Sequence, residues 1–133
     1  MPQPATEIVM YAARLIRQVR RELDLPAYIR VLSLLDELGP TGISQLATAD
    51  NCAQPTMSAQ IRQIELDGYV SRRPHPDDAR SSLIELTAAG RTELATMRTA
   101  LGAAAAARLG DCTPAEVATT IHVLRTLTSE VSE

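Results

Sequence analysis

Between Ile43 and Leu86 the hydrophobic spacing of the chain changes period, and that change limits what it can fold into. Met57, Ile61 and Ile64 are spaced four and three apart, as one face of a helix requires. Immediately afterwards Tyr69-Val70-Ser71-Arg72-Arg73 alternates in twos, and Ser82-Leu83-Ile84-Glu85-Leu86 answers it as a partner strand. Pro55 has no amide hydrogen, so the helix that contains it must have its first turn at about Gln54 to Thr56. A shorter helix, Ile43 to Ala49, precedes it and buries Ile43 and Leu46. The segment therefore predicts a short helix, a tight turn, a longer helix, a strand, a loop and a second strand.

Local chemistry agrees with these boundaries. Gly42 can cap the short helix while Gln45 reaches back from the third helical position. Asp50-Asn51 turns the chain, and Asn51 can take left-handed angles and end the helix without a glycine. Leu66 closes the longer helix before Gly68. The sequence PHPDDARS between the strands is too long and too polar for a minimal turn, and it predicts a projecting wing.

The flanking segments read as helices with more apolar surface than a small head can cover. The first should run from Thr6 to Leu23, with stripes of Ile8, Ala12, Leu15 and Val19 beside Val9 and Ile16, widened by Tyr11. Pro26 fits the first position of a second helix, running to Leu38. Its buried side is Ile29, Val31, Leu32, Leu35 and Leu38, with Arg30, Asp36 and Glu37 in water. Thr87 caps a long helix from Ala88 to about Leu109, carrying Leu94, Met97, Leu101 and Ala105 at heptad-like spacing. Thr113, Pro114 and Glu116 supply cap, N1 proline and N3 carboxylate for a last helix. That helix should bury Val117, Ile121, Leu124 and either Leu127 or Val131. Excess apolar helix surface is economically buried by a second copy of the chain.

The expectation is a mainly α fold with a small β-hairpin wing, residues 1–133 forming one domain. Residues 26–86 would be a winged helix-turn-helix head, and residues 6–23 and 88–133 dimerisation helices. With no Phe, no Trp and three Tyr among 133 residues, packing must come from aliphatic side chains. A net charge of −3 argues against indiscriminate coating of nucleic acid, but leaves sequence-specific binding open. Cys52 and Cys112 lack metal-type spacing and read as two unpaired thiols, Cys52 as packing at the turn. MPQPATE has no basic n-region and no apolar run approaches ~18 residues, so a soluble cytoplasmic chain without a membrane partner is expected.

The outer face of the longer helix carries Gln54, Thr56, Ser58, Ala59, Gln60 and Arg62. Amide, hydroxyl and guanidinium groups of this kind hydrogen-bond to base edges and phosphates, although a solvated helix face has the same composition. The position of this face, after a tight turn and before a basic hairpin, favours a DNA major groove. In the wing, Asp78 and Arg80 are two apart, so the carboxylate could brace a guanidinium reaching a narrow minor groove. A solvated loop with an incidental ion pair is the alternative.

The order of these elements resembles the multiple-antibiotic-resistance regulator (MarR) family of bacterial transcription factors, over nearly the whole chain and most densely from Leu38 to Arg91. LGPTGISQLA is similar to the family's entry into its first helix-turn-helix helix. PTMSAQIRQIELDGYVSRRPHPDDARSSLIELTAAGR is similar to its recognition helix, wing and exit. The resemblance implies a dimer whose heads meet a palindromic operator in double-stranded DNA. It places Gln54, Pro55, Thr56, Ser58, Ala59, Gln60 and Arg62 at the major groove, Asp78 and Arg80 in the wing, and Arg73 on a phosphate. Two departures each remove a cation: Ala59 stands where arginine is common, and Ala79 replaces the first of a frequent arginine pair. The family also implies a repressor released by a small aromatic or phenolic effector, for which Tyr11, Arg14 and Tyr28 lie on the right helices. Family redox sensors carry an N-terminal cysteine that this chain lacks.

The acidic balance and the two missing arginines leave an alternative, a winged-helix protein-interaction module without DNA binding. A third reading, an acid–base or metal cluster of His75, Asp77 and Asp78, has all three on one exposed loop with no pocket to exclude water. No catalytic residue, metal ligand or cofactor is therefore assigned.

Overall fold

A computed structural model describes residues 3–129. In chain order these form α1 (Pro4–Leu23), α2 (Ile29–Leu38), β1 (Thr41–Gly42), α3 (Ile43–Ala49), α4 (Gln54–Leu66), β2 (Val70–His75), β3 (Asp78–Leu86), α5 (Ala88–Arg108) and α6 (Pro114–Thr128). Helix α1 starts two residues before the expected Thr6, because Pro4 is preorganised for a first turn. Pro26 does not open α2. The amides of Ile29 and Arg30 bond three residues back, to Pro26 and Ala27, at 3.2 and 3.3 Å, so the chain enters α2 through a tighter turn.

One aliphatic cluster holds the head together. Val31, Leu32 and Leu35 of α2 meet Leu46, Met57, Ile61, Ile64, Val70, Ile84 and Leu86, with Leu94 and Met97 of α5 closing the far side. Leu38, expected inside, is exposed. Helix α2 points Arg30 at Asp50, with Nε 3.3 Å from Oδ1. Arg30 thus ties α2 to the helix-turn-helix corner, where solvation had been expected.

Both helices of the corner end with the same device. Asn51 takes φ 54°, Cys52 N–H donates to Ala47 O at 2.9 Å, and Asn51 N–H donates to Thr48 O at 3.2 Å. Gly68 takes φ 85°, Tyr69 N–H donates to Ile64 O at 2.9 Å, and Gly68 N–H donates to Glu65 O at 3.0 Å. These paired bonds satisfy carbonyls that a helix end would otherwise leave open. At the start of α3, Gln45 Oε1 accepts from Gly42 N–H at 3.3 Å as expected.

The sheet has three strands in the order β1-β3-β2, where two were expected. Thr41 and Gly42 pair antiparallel with Ile84 and Leu83. So short a strand leaves no alternation to read. Its buried Thr41 is satisfied by donating its hydroxyl to Gly39 O at 2.7 Å.

Thr87 joins the sheet to α5. Its N–H donates to Tyr69 O at 3.1 Å. Its hydroxyl donates to Gly68 O at 2.6 Å and accepts from Gly90 N–H at 3.0 Å. Further along, Arg98 meets Asp36 at 2.9 Å, while Arg108 meets Gln18 at 3.1 Å and Glu22 at 2.7 Å, drawing α5 onto α2 and α1.

Helix α6 has the expected Thr113–Glu116 capping box, and the bond from Thr113 N–H holds the Glu116 carboxyl below its ordinary pKa. The expected burial of its apolar face does not occur within one chain. Val117 is half-buried, Ile121, Leu124 and Leu127 are 46%, 41% and 56% exposed, and Val131 lies outside the described residues. On α1, likewise, Ile8, Val9, Tyr11, Leu15 and Ile16 are exposed and only Val19 is buried. No helix among the described residues is long and apolar enough to cross a membrane.

A Cβ at Gly90 would fall on the backbone carbonyl of Tyr69 and lie 3.3 Å from Leu86 Cδ2, whereas one at Gly102 would meet open space. Gly90→Ala should therefore cost roughly 1–3 kcal/mol, while Gly102→Ala should gain up to about 1 kcal/mol in helix propensity. Urea denaturation of the two variants checks the contrast.

Candidate nucleic-acid interface

Helix α4 is seated on the core by Met57, Ile61 and Ile64, which leaves Gln54, Pro55, Thr56, Ala59 and Arg62 exposed. Ser58 and Gln60, expected on the same open face, are half-buried. Each adjoins a core position and so lies on the flank of the stripe. The Gln60 Oε1 atom is closed off from solvent without a hydrogen-bond partner. Arg62 makes no salt bridge among the described residues.

The wing differs from the expected long loop. Val70 to Pro74 pair in strict register with Leu86 to Ser82, but His75 pairs with Asp78 and the register shifts between Pro74 and His75. Only Pro76 and Asp77 remain for the turn, while Ala79, Arg80 and Ser81 bulge from β3. The bulge absorbs residues that would otherwise lengthen the loop. It carries Arg80 out to 93% side-chain exposure, with Nε 3.5 Å from Asp78 Oδ1. Asp78 also accepts from Arg80 N–H at 3.0 Å and from the Ser81 hydroxyl at 3.4 Å. The bond from the Arg80 amide, foremost, holds the Asp78 carboxyl below its ordinary pKa.

The other arginines of the hairpin are also carboxylate-paired. Arg72 Nε meets Glu65 Oε1 at 3.0 Å and Arg73 Nε meets Glu85 Oε1 at 3.7 Å. Between the wing and the starts of α3 and α4 lies an open groove of about 410 Å³, whose lining includes Ser44, Gln54, Arg72, His75, Arg80 and Ser82. Ser44, Arg72 and Ser82 were not singled out from sequence, and His75 was weighed only for an acid–base or metal cluster. Arg72 and His75 are three apart, a spacing that strict strand alternation puts on opposite faces, yet both line the groove, with the register shift between them.

The remaining candidates separate into other places. Arg14 lies over Tyr11, with its guanidinium carbon 5.0 Å from the ring centroid. Tyr28 packs against Tyr69 instead, ring centroids 5.7 Å apart, and donates to Glu93 Oε1 at 3.5 Å. Hydrogen bonding to Glu93 is the main influence pushing the Tyr69 hydroxyl up to about 12. None of Tyr11, Arg14 and Tyr28 lines the open cavity of about 310 Å³ between α1, α2 and α5, where Ile16, Leu25, Ile29, Leu34 and Leu101 share the wall with Arg20, Arg30, Glu37 and Asp50. In the wing, His75 Nδ1 accepts from Asp77 N–H at 3.1 Å, and no group of three metal-ligating side chains forms among the described residues. Cys52 is half-buried and Cys112 exposed, and both are free thiols.

The MarR family model matches residues 26–82, the span from the α2 entry through the wing. The HTH-type transcriptional repressor IacR of Pseudomonas putida is 29% identical over 85 residues, covering 64% of this chain and 49% of that protein. An HTH-type transcriptional regulator of Mycobacterium tuberculosis is 31% identical over 90 residues, covering 65% of this chain and 63% of that protein. The chain thus spans about half the length of the first relative and just under two thirds of the second. Among solved structures, apo MarR of E. coli superposes with a TM-score of 0.76 at 21% identity, covering 97% of this chain and 98% of that one. BpsR of Bordetella bronchiseptica, whose DNA binding is regulated by 6-hydroxynicotinic acid, superposes at 0.66 with 20% identity, covering 97% and 95%. At these identities the superpositions establish the fold. The family model is thus seated on the head, and the described residues are similar in fold to solved MarR structures.

Proposed function

We propose that the chain is a sequence-specific DNA-binding transcription regulator, acting as a homodimeric repressor in the cytoplasm. The observation that carries this reading is the pairing of an open polar face on α4 with an arginine that a bulged hairpin holds almost wholly in solvent. Gln54, Pro55, Thr56, Ala59 and Arg62, flanked by Ser58 and Gln60, enter the major groove. Arg73 meets backbone phosphate at the wing's base, and Arg80, braced by Asp78, reaches the minor groove.

The exposed apolar faces of α1 and α6 are the surfaces a second copy would cover. Closing a two-fold pair there would present two α4 helices to half-sites about one turn, roughly 34 Å, apart. The cavity between α1, α2 and α5 is large enough for a small aromatic effector, as a site linking dimerisation helices to the head requires. Regulation of BpsR by 6-hydroxynicotinic acid supports an effector of that class.

Pairing of Arg72, Arg73 and Arg80 with carboxylates favours a second reading, a protein-interaction module that no longer holds DNA. Binding of a mixed-sequence duplex at low salt separates the two: the regulator binds with a steep salt dependence, and the interaction module does not bind.

Arg80→Ala should weaken binding to all duplexes alike, whereas Arg62→Ala should relax preference at one base position by about 1–3 kcal/mol. Unchanged affinity in Arg80→Ala would sink the wing assignment. Leu124→Asp should convert a dimer into monomers in sedimentation velocity, with the head still folded. Because the Asp78 carboxyl is depressed in the folded chain, its brace on Arg80 is present above the ordinary carboxylate range. It is lost as pH falls through the lowered value. The Arg80 amide resonance should report that loss, and Asp78→Asn should remove the titration.

A further inference from the structure

The groove between the wing and the starts of α3 and α4 contains a group for which the interface described so far has no use. Strict strand alternation would turn His75 away from the face of Arg72, yet past the register shift at Pro74/His75 both residues line the same groove. Its Nδ1 is occupied, accepting the Asp77 amide at 3.1 Å. A ring nitrogen that accepts carries no proton, so the neutral ring keeps its hydrogen on Nε2, the atom left to donate.

The charges around the ring are Arg72 on its own strand, Asp77 in the turn, Asp78 and Arg80 on β3, and Glu65 on α4 behind Arg72. On the facing side α3 and α4 contribute the neutral Ser44, Gln45 and Gln54. Glu65 is taken by Arg72, and Asp78 by Arg80 and Ser81. His75 has no salt-bridge partner among the described residues. An open groove of about 410 Å³ with two guanidinium groups, an imidazole and serine hydroxyls on its wall suits a tetrahedral oxyanion.

We propose that this groove seats one backbone phosphate of duplex DNA between the major-groove helix and the wing tip, with His75 as its titrating ligand. The proposal rests on the DNA-binding reading. A phosphate at Nε2 favours the imidazolium; the proton taken up goes to Nδ1 and displaces the hydrogen bond from the Asp77 amide, so binding takes up a proton at the cost of that bond. The gain in affinity belongs to the protonated ring and is lost as pH rises. This makes the grip on DNA sensitive to pH near neutrality, where no other side chain of the interface titrates in its ordinary range.

Fluorescence anisotropy with a mixed-sequence duplex, at about pH 6 and about pH 8, tests it. In about 0.1 M salt, one added phosphate contact is worth roughly five- to tenfold in affinity by counterion release. The wild type should tighten by about that factor toward the lower pH, with its salt slope steeper by about 1. His75→Gln should bind as the wild type does at the higher pH and gain nothing at the lower. His75→Arg should bind tightly at both, and His122→Gln, altered on α6, should behave as wild type. A pH response retained in His75→Gln overturns the proposal. Ring resonances of His75 are then followed with inorganic phosphate alone. A shift in a chain that binds no duplex would leave the phosphate seat standing and overturn its assignment to DNA, whereas no binding and no shift overturns both.

Discussion

Thr87 fixes the relation between α4 and the long helix behind it. One residue closes three bonds, to the carbonyls of Gly68 and Tyr69 and from the amide of Gly90. The first two belong to the exit from α4 and the third to the first turn of α5. Gly90 is a condition of this arrangement, since any side chain there would displace the Tyr69 carbonyl. The end of α4 and the first turn of α5 are thus tied to one residue. In the proposed dimer, closed through α1 and α6, a shift of α5 relative to that seam would become a shift in the spacing of two DNA-facing surfaces. An effector at the cavity between α1, α2 and α5 would act on the same lever.

The arginines of the hairpin are each paired with a carboxylate, which in the proposed complex would let a chain of net charge −3 offer cations to DNA. Exposed ion pairs of this kind contribute about 0–1 kcal/mol. Exchange of a carboxylate for a phosphate is accordingly easy, while the free head presents little net positive field. In the proposed regulator such a surface would bind weakly to arbitrary sequence and depend on the fit of α4 for tight binding.

Most of the helical framework was legible in the sequence because its signals are local. The stripe of Met57, Ile61 and Ile64, the left-handed Asn51, the Gln45 cap and the Thr113–Glu116 box all lie within a turn or two of what they specify. The missed features depend on remote partners or on register. Strand β1 exists only because β3 passes beside Thr41. The two-residue wing turn follows from a bulge whose position no alternation marks, so Arg80 was placed on the wing while His75 and Arg72 were not assigned to its groove. The α6 stripe was read correctly as apolar, yet a single chain offers it no surface to bury against. Pro26 was assigned to a helix start on a valid preference, but the chain first turns left-handed at Asp24, φ 50°, and enters α2 later.

The sheet order leaves two strand edges, and neither invites addition of another strand. Strand β1 is only two residues long. Strand β2 carries Pro74, which has no amide to donate, beside the cationic Arg72 and Arg73. Short length, proline and charge are the features that keep exposed edges from templating aggregation. The hairpin can therefore stand free of the body of the protein at high local concentration without zipping to a neighbour's hairpin.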